Sequence, residues 1–175
     1  FENEKIRNVM HWVFQIAVTL VFAAVVAIMM FQTVTMQESS MEPTISVGDR
    51  FFINKAVYKF SSPQRGDMIV FRTSASDGAA LHIRRVIGLP GETVEIRDGK
   101  VYINGSDEPL DDSFVPEVPT GNYGPYTVPE NSYFMLGDNR EYSRDSRFWK
   151  NTFVSFDEIV GKAIVRYYPS IKLLN

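Results

Sequence analysis

The longest uncharged stretch of the chain sets the strongest constraint on its fold. From Val9 to Phe31 the sequence reads VMHWVFQIAVTLVFAAVVAIMMF, and no residue in it carries a fixed charge. A helix rises about 1.5 Å per residue, so a helix of this length crosses a hydrocarbon core of roughly 30 Å. No small-x-small cleavage pattern follows the run, which favours a membrane anchor over a cleaved signal peptide.

Basic residues before this run predict its orientation. Lys5 and Arg7 precede the apolar segment. Lys and Arg that flank a membrane helix are enriched on its cytoplasmic side. We therefore predict that residues 1–8 are cytoplasmic, 9–31 form a single-pass transmembrane anchor and 32–175 form an extracytoplasmic domain. The expected location is the cell (cytoplasmic) membrane.

The composition excludes several classes of function. Lys and Arg total 18 against 21 Asp and Glu, which gives a formal net charge of -3, and no basic cluster follows one face, so we expect no nucleic acid partner. The chain has no cysteine and only two histidines, which excludes a disulfide framework, a thiolate nucleophile and a histidine-rich metal site. We expect no metal and no cofactor, and the oligomeric state is left open.

Beyond the anchor, the apolar pattern changes to a period of two and predicts β-structure. The clearest unit is a hairpin within 92–105, where Asp98-Gly99 separates two alternating runs as a tight turn. Residues 106–125 are rich in Pro, Asp and Gly, which predicts a long surface loop. Further strands are predicted within 49–60, 65–73, 131–140 and 158–169, and no long helix is expected after the anchor.

Three polar stretches contain residues that could carry chemistry. They are SSMEPT at 39–44, HIRRVIGLPGE at 82–92 and GDNREYSRDSRFW at 137–149. Each has an ordinary explanation when taken alone: turn chemistry for the first, a solvated basic strand for the second and a salt-bridged structural turn for the third.

Taken in order, these stretches resemble those of bacterial type I signal peptidases, most of all the single-anchor Gram-positive forms. The order is an apolar anchor, then SMEPT, GDRFFINK, RGDMIVF, RRVIGLPGE and GDNREYSRDSR. The resemblance implies a mostly β fold, in which one N-terminal transmembrane α-helix precedes an antiparallel, distorted β-barrel catalytic domain. It also implies a serine–lysine endopeptidase that removes signal peptides from exported preproteins, with signal peptides and the lipid bilayer as partners.

The resemblance also implies roles for individual residues. Ser40 matches the nucleophile, and its backbone N–H would contribute to the oxyanion hole. Ser143 matches the hydroxyl that orients the base, while Asp145 and Arg147 match an ion pair that supports the loop. Met41 is expected near the substrate groove.

Two positions depart from the family pattern. Arg84 occupies the position of the general-base lysine, and a guanidinium stays protonated and cannot accept the serine proton. His82 lies two residues earlier on the same strand face and is an alternative base. Glu38 replaces a small residue beside the oxyanion hole, and we expect its carboxylate to pair with Arg84.

Three interpretations of the function follow from these departures. The chain is a signal peptidase that Arg84 impairs or inactivates, a histidine-based variant of the enzyme, or a relative that binds or presents exported or pilin-like substrates without cutting them.

Overall fold

One long helix precedes a set of antiparallel strands in the computed structural model, which describes residues 2–72, 81–116 and 119–174. The elements are α1 (Glu2–Met30), β1 (Phe31–Thr35), β2 (Arg50–Asn54), β3 (Met68–Arg72), β4 (Leu81–Gly88), β5 (Thr93–Arg97), β6 (Lys100–Ile103), β7 (Tyr123–Thr127), β8 (Ser132–Leu136), β9 (Val154–Ser155), β10 (Ile159–Tyr168) and β11 (Lys172–Leu173). Short 3₁₀ turns lie at Val57–Lys59 and Phe156–Glu158.

Helix α1 contains most of the predicted anchor and starts earlier, at Glu2. The added N-terminal residues include Glu, Lys and Arg, which are good helix formers. The helix ends where the Met30 carbonyl accepts a hydrogen bond from the Lys55 N–H at 2.8 Å, and Phe31 begins β1. By length and composition, Asn3–Met30 could cross a membrane, and its most apolar window of 18 residues has a mean hydropathy of 2.6.

The larger sheet has the strand order β1-β2-β10-β3-β4-β8-β9, and β11 pairs with β10 outside this path. Neighbouring strands run antiparallel. This confirms the mostly β, antiparallel fold that the sequence predicts. The sheet is open, however, because within the described ranges no pairing joins β1 to β9 and closes a barrel.

The smaller sheet has the order β6-β5-β7 and contains the predicted hairpin. Asp98 and Gly99 have φ values of 48° and 78°, the positive angles that a two-residue hairpin turn requires. The hairpin prediction is therefore confirmed.

The prediction of a continuous loop over 106–125 is wrong at its end, because β7 starts at Tyr123 and pairs with β5. Pro125 obscured this strand in the sequence. Proline lacks an N–H but is tolerated on an edge strand, and β7 is an edge of the smaller sheet. Residues 117–118 of the predicted loop lie outside the described residues.

The remaining predicted strands are present as β2, β3, β8 and β10. Of the predicted 65–73 strand, Thr73 lies outside the described residues. Gly161 in β10 allows a close approach between strands, since a Cβ atom there would lie 2.5 Å from the carbonyl oxygen of Asn54 in β2.

A cluster of buried apolar side chains supports the segment that follows β1. Met36, Met41 and Ile45 pack against residues of β2, β3, β4 and β10, including Phe51 and Ile83. These contacts hold the turn that contains Ser40 against the sheet.

Candidate active site

Ser40 lies in a tight turn after β1 and is only 3% exposed. The neighbouring loop 137–149 holds this turn through two hydrogen bonds from Asn139. Its N–H donates to the Ser40 carbonyl at 3.1 Å, and its side-chain Nδ2 donates to the Ser39 carbonyl at 3.0 Å. The serine is therefore fixed on a rigid support.

A buried ion pair fastens this turn to β4. Arg85 donates to both carboxylate oxygens of Asp138, from Nε at 2.8 Å and from Nη2 at 2.6 Å. Thr44 Oγ1 also donates to Asp138 Oδ2 at 2.6 Å. Bidentate, charge-assisted hydrogen bonds of this kind are among the stronger ones in proteins, so the turn, β4 and loop 137–149 form one unit.

Arg84 contacts Ser40 directly. Its guanidinium is buried, and Nη1 donates to Ser40 Oγ at 2.7 Å. An arginine has five N–H donors, and here all five have acceptors. The others are the Ile83 carbonyl, Glu38 Oε2 and the Arg144 carbonyl, which accepts from both Nε and Nη2.

Glu38 forms the expected ion pair with Arg84, with Oε2 and Nη2 3.0 Å apart. The same carboxylate oxygen accepts a hydrogen bond from Ser40 Oγ at 3.4 Å. Its second oxygen, Oε1, lies 3.0 Å from His82 Nδ1. The hydrogen bond to His82, followed by the charge of Arg84, lowers the pKa of Glu38 to about 2 against the opposing effect of burial.

His82 does not contact Ser40 in this arrangement. Glu38 lies between them, so the order is imidazole, carboxylate, serine, whereas in a serine–histidine–aspartate triad the imidazole lies in the middle. His82 Nε2 is buried and has no hydrogen-bond partner within the part of the chain that the structure describes.

The polar loop contributes a second ion pair beside the site. Arg147 donates to Asp145 from Nε at 2.8 Å and from Nη2 at 2.9 Å, and the Gly137 N–H donates to Asp145 Oδ2 at 3.1 Å. Ser143 is buried, but among residues 2–72, 81–116 and 119–174 its hydroxyl has no hydrogen-bond partner. The guanidinium of Arg84 donates to Arg144 instead.

Two cavities lie on either side of Glu38 and His82, and both residues line both cavities. The cavity on the Ser40 side has a volume of about 630 Å³ and includes Trp149. The second has a volume of about 470 Å³ and a partly apolar wall. That wall includes Val34, Phe51, Val70, Leu81 and Ile83. Together they offer space for an extended peptide and small apolar side chains.

Met41 does not face this space. Its side chain is fully buried in the apolar cluster under the turn, because the backbone turns sharply after Ser40 and directs the next side chain inward. Met41 thus supports the turn of Ser40 from below, and its expected place near the substrate groove stays a prediction.

Several contacts at the site are missing from the sequence-based prediction. The sequence analysis did not predict the hydrogen bond between Thr44 and Asp138 beside Ser40, although Thr44 belongs to the SMEPT motif and Asp138 to the GDN motif. Gly137 was assigned only to a turn, yet a Cβ atom there would collide with the Ser143 hydroxyl and the Ser40 carbonyl. Among the described residues, no group of three or more His, Cys, Asp or Glu side chains could hold a metal ion.

A buried serine hydroxyl that lies between a cation and an anion and lines a cavity has parts of a serine hydrolase site. Residues 9–168 match the family described as "Signal peptidase, peptidase S26". The chain therefore belongs to the signal peptidase S26 family.

Two relatives, from Synechocystis sp. and Staphylococcus aureus, agree with this assignment. A Synechocystis sp. protein named "Probable signal peptidase I-2" is 42% identical over 135 residues, which are 75% of this chain and 60% of that relative's length. "Signal peptidase IB" of Staphylococcus aureus is 32% identical over 179 residues, covering 93% of this chain and 91% of the relative. The solved signal peptidase I of Enterococcus faecalis is 36% identical, covers 58% of this chain and 97% of its own, and superposes with a TM-score of 0.47.

Proposed function

We propose that this chain is a membrane-anchored serine endopeptidase that removes signal peptides from exported preproteins. The family match over residues 9–168 is the observation that carries this proposal. The names of its relatives, signal peptidase I and IB, support the same substrate class.

Ser40 is the nucleophile in this proposal. Its hydroxyl faces the cavity of about 630 Å³, and its turn is fixed by Asn139. The Ser40 N–H donates no hydrogen bond within the described ranges, so it is available to stabilise the oxyanion that forms when Oγ attacks the scissile carbonyl.

The other predicted site residues support Ser40 in this proposal. Asp145 and Arg147 hold loop 137–149 through their ion pair. We expect the Ser143 hydroxyl to orient an amine at position 84; this hydroxyl is buried and has no hydrogen-bond partner in the described chain. Met41 anchors the turn from the core.

Arg84 occupies the position of the base but acts as a cation only. A guanidinium cannot accept the serine proton, and the N–H groups of Arg84 are already used as donors. We therefore infer that this chain cleaves more slowly than a form with lysine at position 84.

Helix α1 anchors the enzyme in the bilayer, with the β-domain on the extracytoplasmic side. Ser40 lies nine positions after Phe31, and an extended chain of that length spans at most about 30 Å. Ser40 is thus held close to the membrane surface, where the cleavage site of a membrane-embedded signal peptide emerges.

A cleavage assay tests this function. Detergent-solubilised protein is incubated with a preprotein, and mass spectrometry identifies the fragments. We expect slow release of a mature fragment that begins at the signal peptide junction. Absence of cleavage both in this chain and in its Arg84→Lys variant would contradict the enzyme and favour a protein that binds or presents exported or pilin-like substrates.

A further inference from the structure

We propose that Glu38 is a catalytic residue that takes the proton of Ser40 during its attack, while Arg84 stabilises the negative charge that develops on Ser40 Oγ. This inference rests on the proposed endopeptidase function and replaces the base at position 84 with a carboxylate from the segment that precedes the nucleophile.

The direction of the hydrogen bonds at Ser40 supports this role. Arg84 Nη1 lies 2.7 Å from Ser40 Oγ, and a guanidinium can only donate. Ser40 Oγ must therefore accept that bond, which leaves its own proton to be donated to Glu38 Oε2 at 3.4 Å. Glu38 Oε2 is thus the acceptor that this geometry offers to the serine proton.

Glu38 is held in place for this transfer by two groups on β4. His82 Nδ1 contacts Oε1 at 3.0 Å and Arg84 Nη2 contacts Oε2 at 3.0 Å. The packed loop 137–149 presents the Arg144 carbonyl to the Arg84 guanidinium. His82 is thus a positioning residue, and His82, Arg84 and Ser40 are the polar groups that face the carboxylate.

The proposed step is balanced without another reactant. Glu38 Oε2 takes the hydroxyl proton as Ser40 Oγ forms a bond to the scissile carbonyl carbon, and the carbonyl electron pair moves to its oxygen. Collapse of this intermediate breaks the C–N bond, and protonated Glu38 gives its proton to the leaving amine. Water then hydrolyses the ester, again giving a proton to Glu38 that passes back to Ser40.

The pH dependence of this base differs from that of a lysine. His82 and Arg84 lower the pKa of Glu38 to about 2, so the carboxylate is already ionised at pH 5. Cleavage by the unmodified chain should therefore change little between about pH 5 and 9, whereas a lysine base loses activity as falling pH protonates it.

Glu38→Gln tests the proposal, with Glu141→Gln as the matched control. The amide introduced by Glu38→Gln keeps the size and a hydrogen-bonding oxygen but cannot take up the proton. Because general-base assistance is typically worth ~10²- to 10⁴-fold, we expect kcat of Glu38→Gln to fall by a factor in that range. Glu141 is exposed on the polar loop, and its variant should cleave normally.

A double variant shows whether the protein with Glu38→Gln still folds and keeps Ser40 able to react. Glu38→Gln with Arg84→Lys supplies an amine base, and we expect it to regain cleavage with a rate that rises with pH. Unchanged cleavage by Glu38→Gln alone would overturn the role of Glu38. The role of Glu38 would also be overturned if the unmodified chain were inactive and its Arg84→Lys variant cleaved, but the endopeptidase function would then stand. If all these forms were inactive, both the role of Glu38 and the endopeptidase function would be overturned.

Discussion

Position 84 determines which proton chemistry is available at the site. The guanidinium of Arg84 donates to Ser40 Oγ and to Glu38 Oε2, so it acts as a fixed positive charge. An amine at the same place could lose its proton and become a base, which a guanidinium cannot do.

Arg84→Lys should therefore cleave a preprotein faster than the unmodified chain at pH 9, because a neutral amine is a stronger base than a carboxylate whose pKa is about 2. Its rate should rise with pH as the amine deprotonates. In Arg84→Lys, the Glu38 carboxylate favours the charged form of the new amine and so raises its pKa. When Glu38→Gln is added, this effect is lost, and the rate should begin to rise at a lower pH. Rate–pH profiles of both variants measure this difference, and identical profiles would mean that Glu38 does not contact the new amine.

Glu38 also links the stability of the site to acid pH. Its pKa falls from an ordinary value of 4.5 to about 2 in the folded chain. A lowered folded-state pKa stabilises the protein above the unfolded value and loses that contribution as pH falls from about 4.5 to about 2. Thermal melts at pH 6 and pH 3 should show a smaller loss of Tm for Glu38→Gln than for the unmodified chain. Equal losses would contradict this assignment of the shift.

At the level of elements, the polar loop 137–149 depends on a buried ion pair. Asp145 is fully buried, and Arg147 donates to both of its oxygens. Breaking a buried pair by removing one partner typically costs ~3–5 kcal/mol, because a charge remains in a poor environment.

Arg147→Met should accordingly lower the free energy of unfolding by an amount in that range. Arg144→Met is the matched control, since Arg144 is exposed and contributes its backbone carbonyl to the site. Chemical denaturation of both variants in the same detergent measures the difference. Similar losses in the two variants would show that the ion pair does not stabilise the loop.

The elements that could be predicted from the sequence are those with a strong local signal. The hairpin at Asp98-Gly99 has clear alternation on both sides of its turn residues, and β8 is a short apolar run that ends at a Gly-Asp-Asn turn. Strand β7 was missed because its Gly124 and Pro125 resemble loop residues, and only pairing with β5 makes them a strand. Barrel closure is a tertiary property that alternation does not specify.

At the level of the whole molecule, the site joins segments that are distant in sequence. The sequence predicted that His82 and Arg84 share a face of β4, because residues two apart on a strand point to the same side. It also predicted that Glu38 pairs with Arg84, because their charges are opposite. The contact of His82 with Glu38 rather than Ser40 depends on how the segment after β1 crosses β4. Met36, Met41 and Ile45 of this segment pack in one apolar cluster with residues of the sheet.

The orientation of the chain in the membrane is also a property of the whole molecule. Protease added to spheroplasts should digest the β-domain and spare an epitope placed before Glu2. This result follows if Lys5 and Arg7 keep the N-terminus in the cytoplasm. Protection of the β-domain until the cells are lysed would contradict the proposed topology.

The most direct test of the central claim compares two adjacent serines in the preprotein cleavage assay. Ser40 is buried beside Arg84 and Glu38, whereas Ser39 is exposed. We expect Ser40→Ala to abolish release of the mature fragment and Ser39→Ala to preserve it. Release of that fragment by Ser40→Ala at the rate of the unmodified chain would contradict the assignment of Ser40 as the nucleophile.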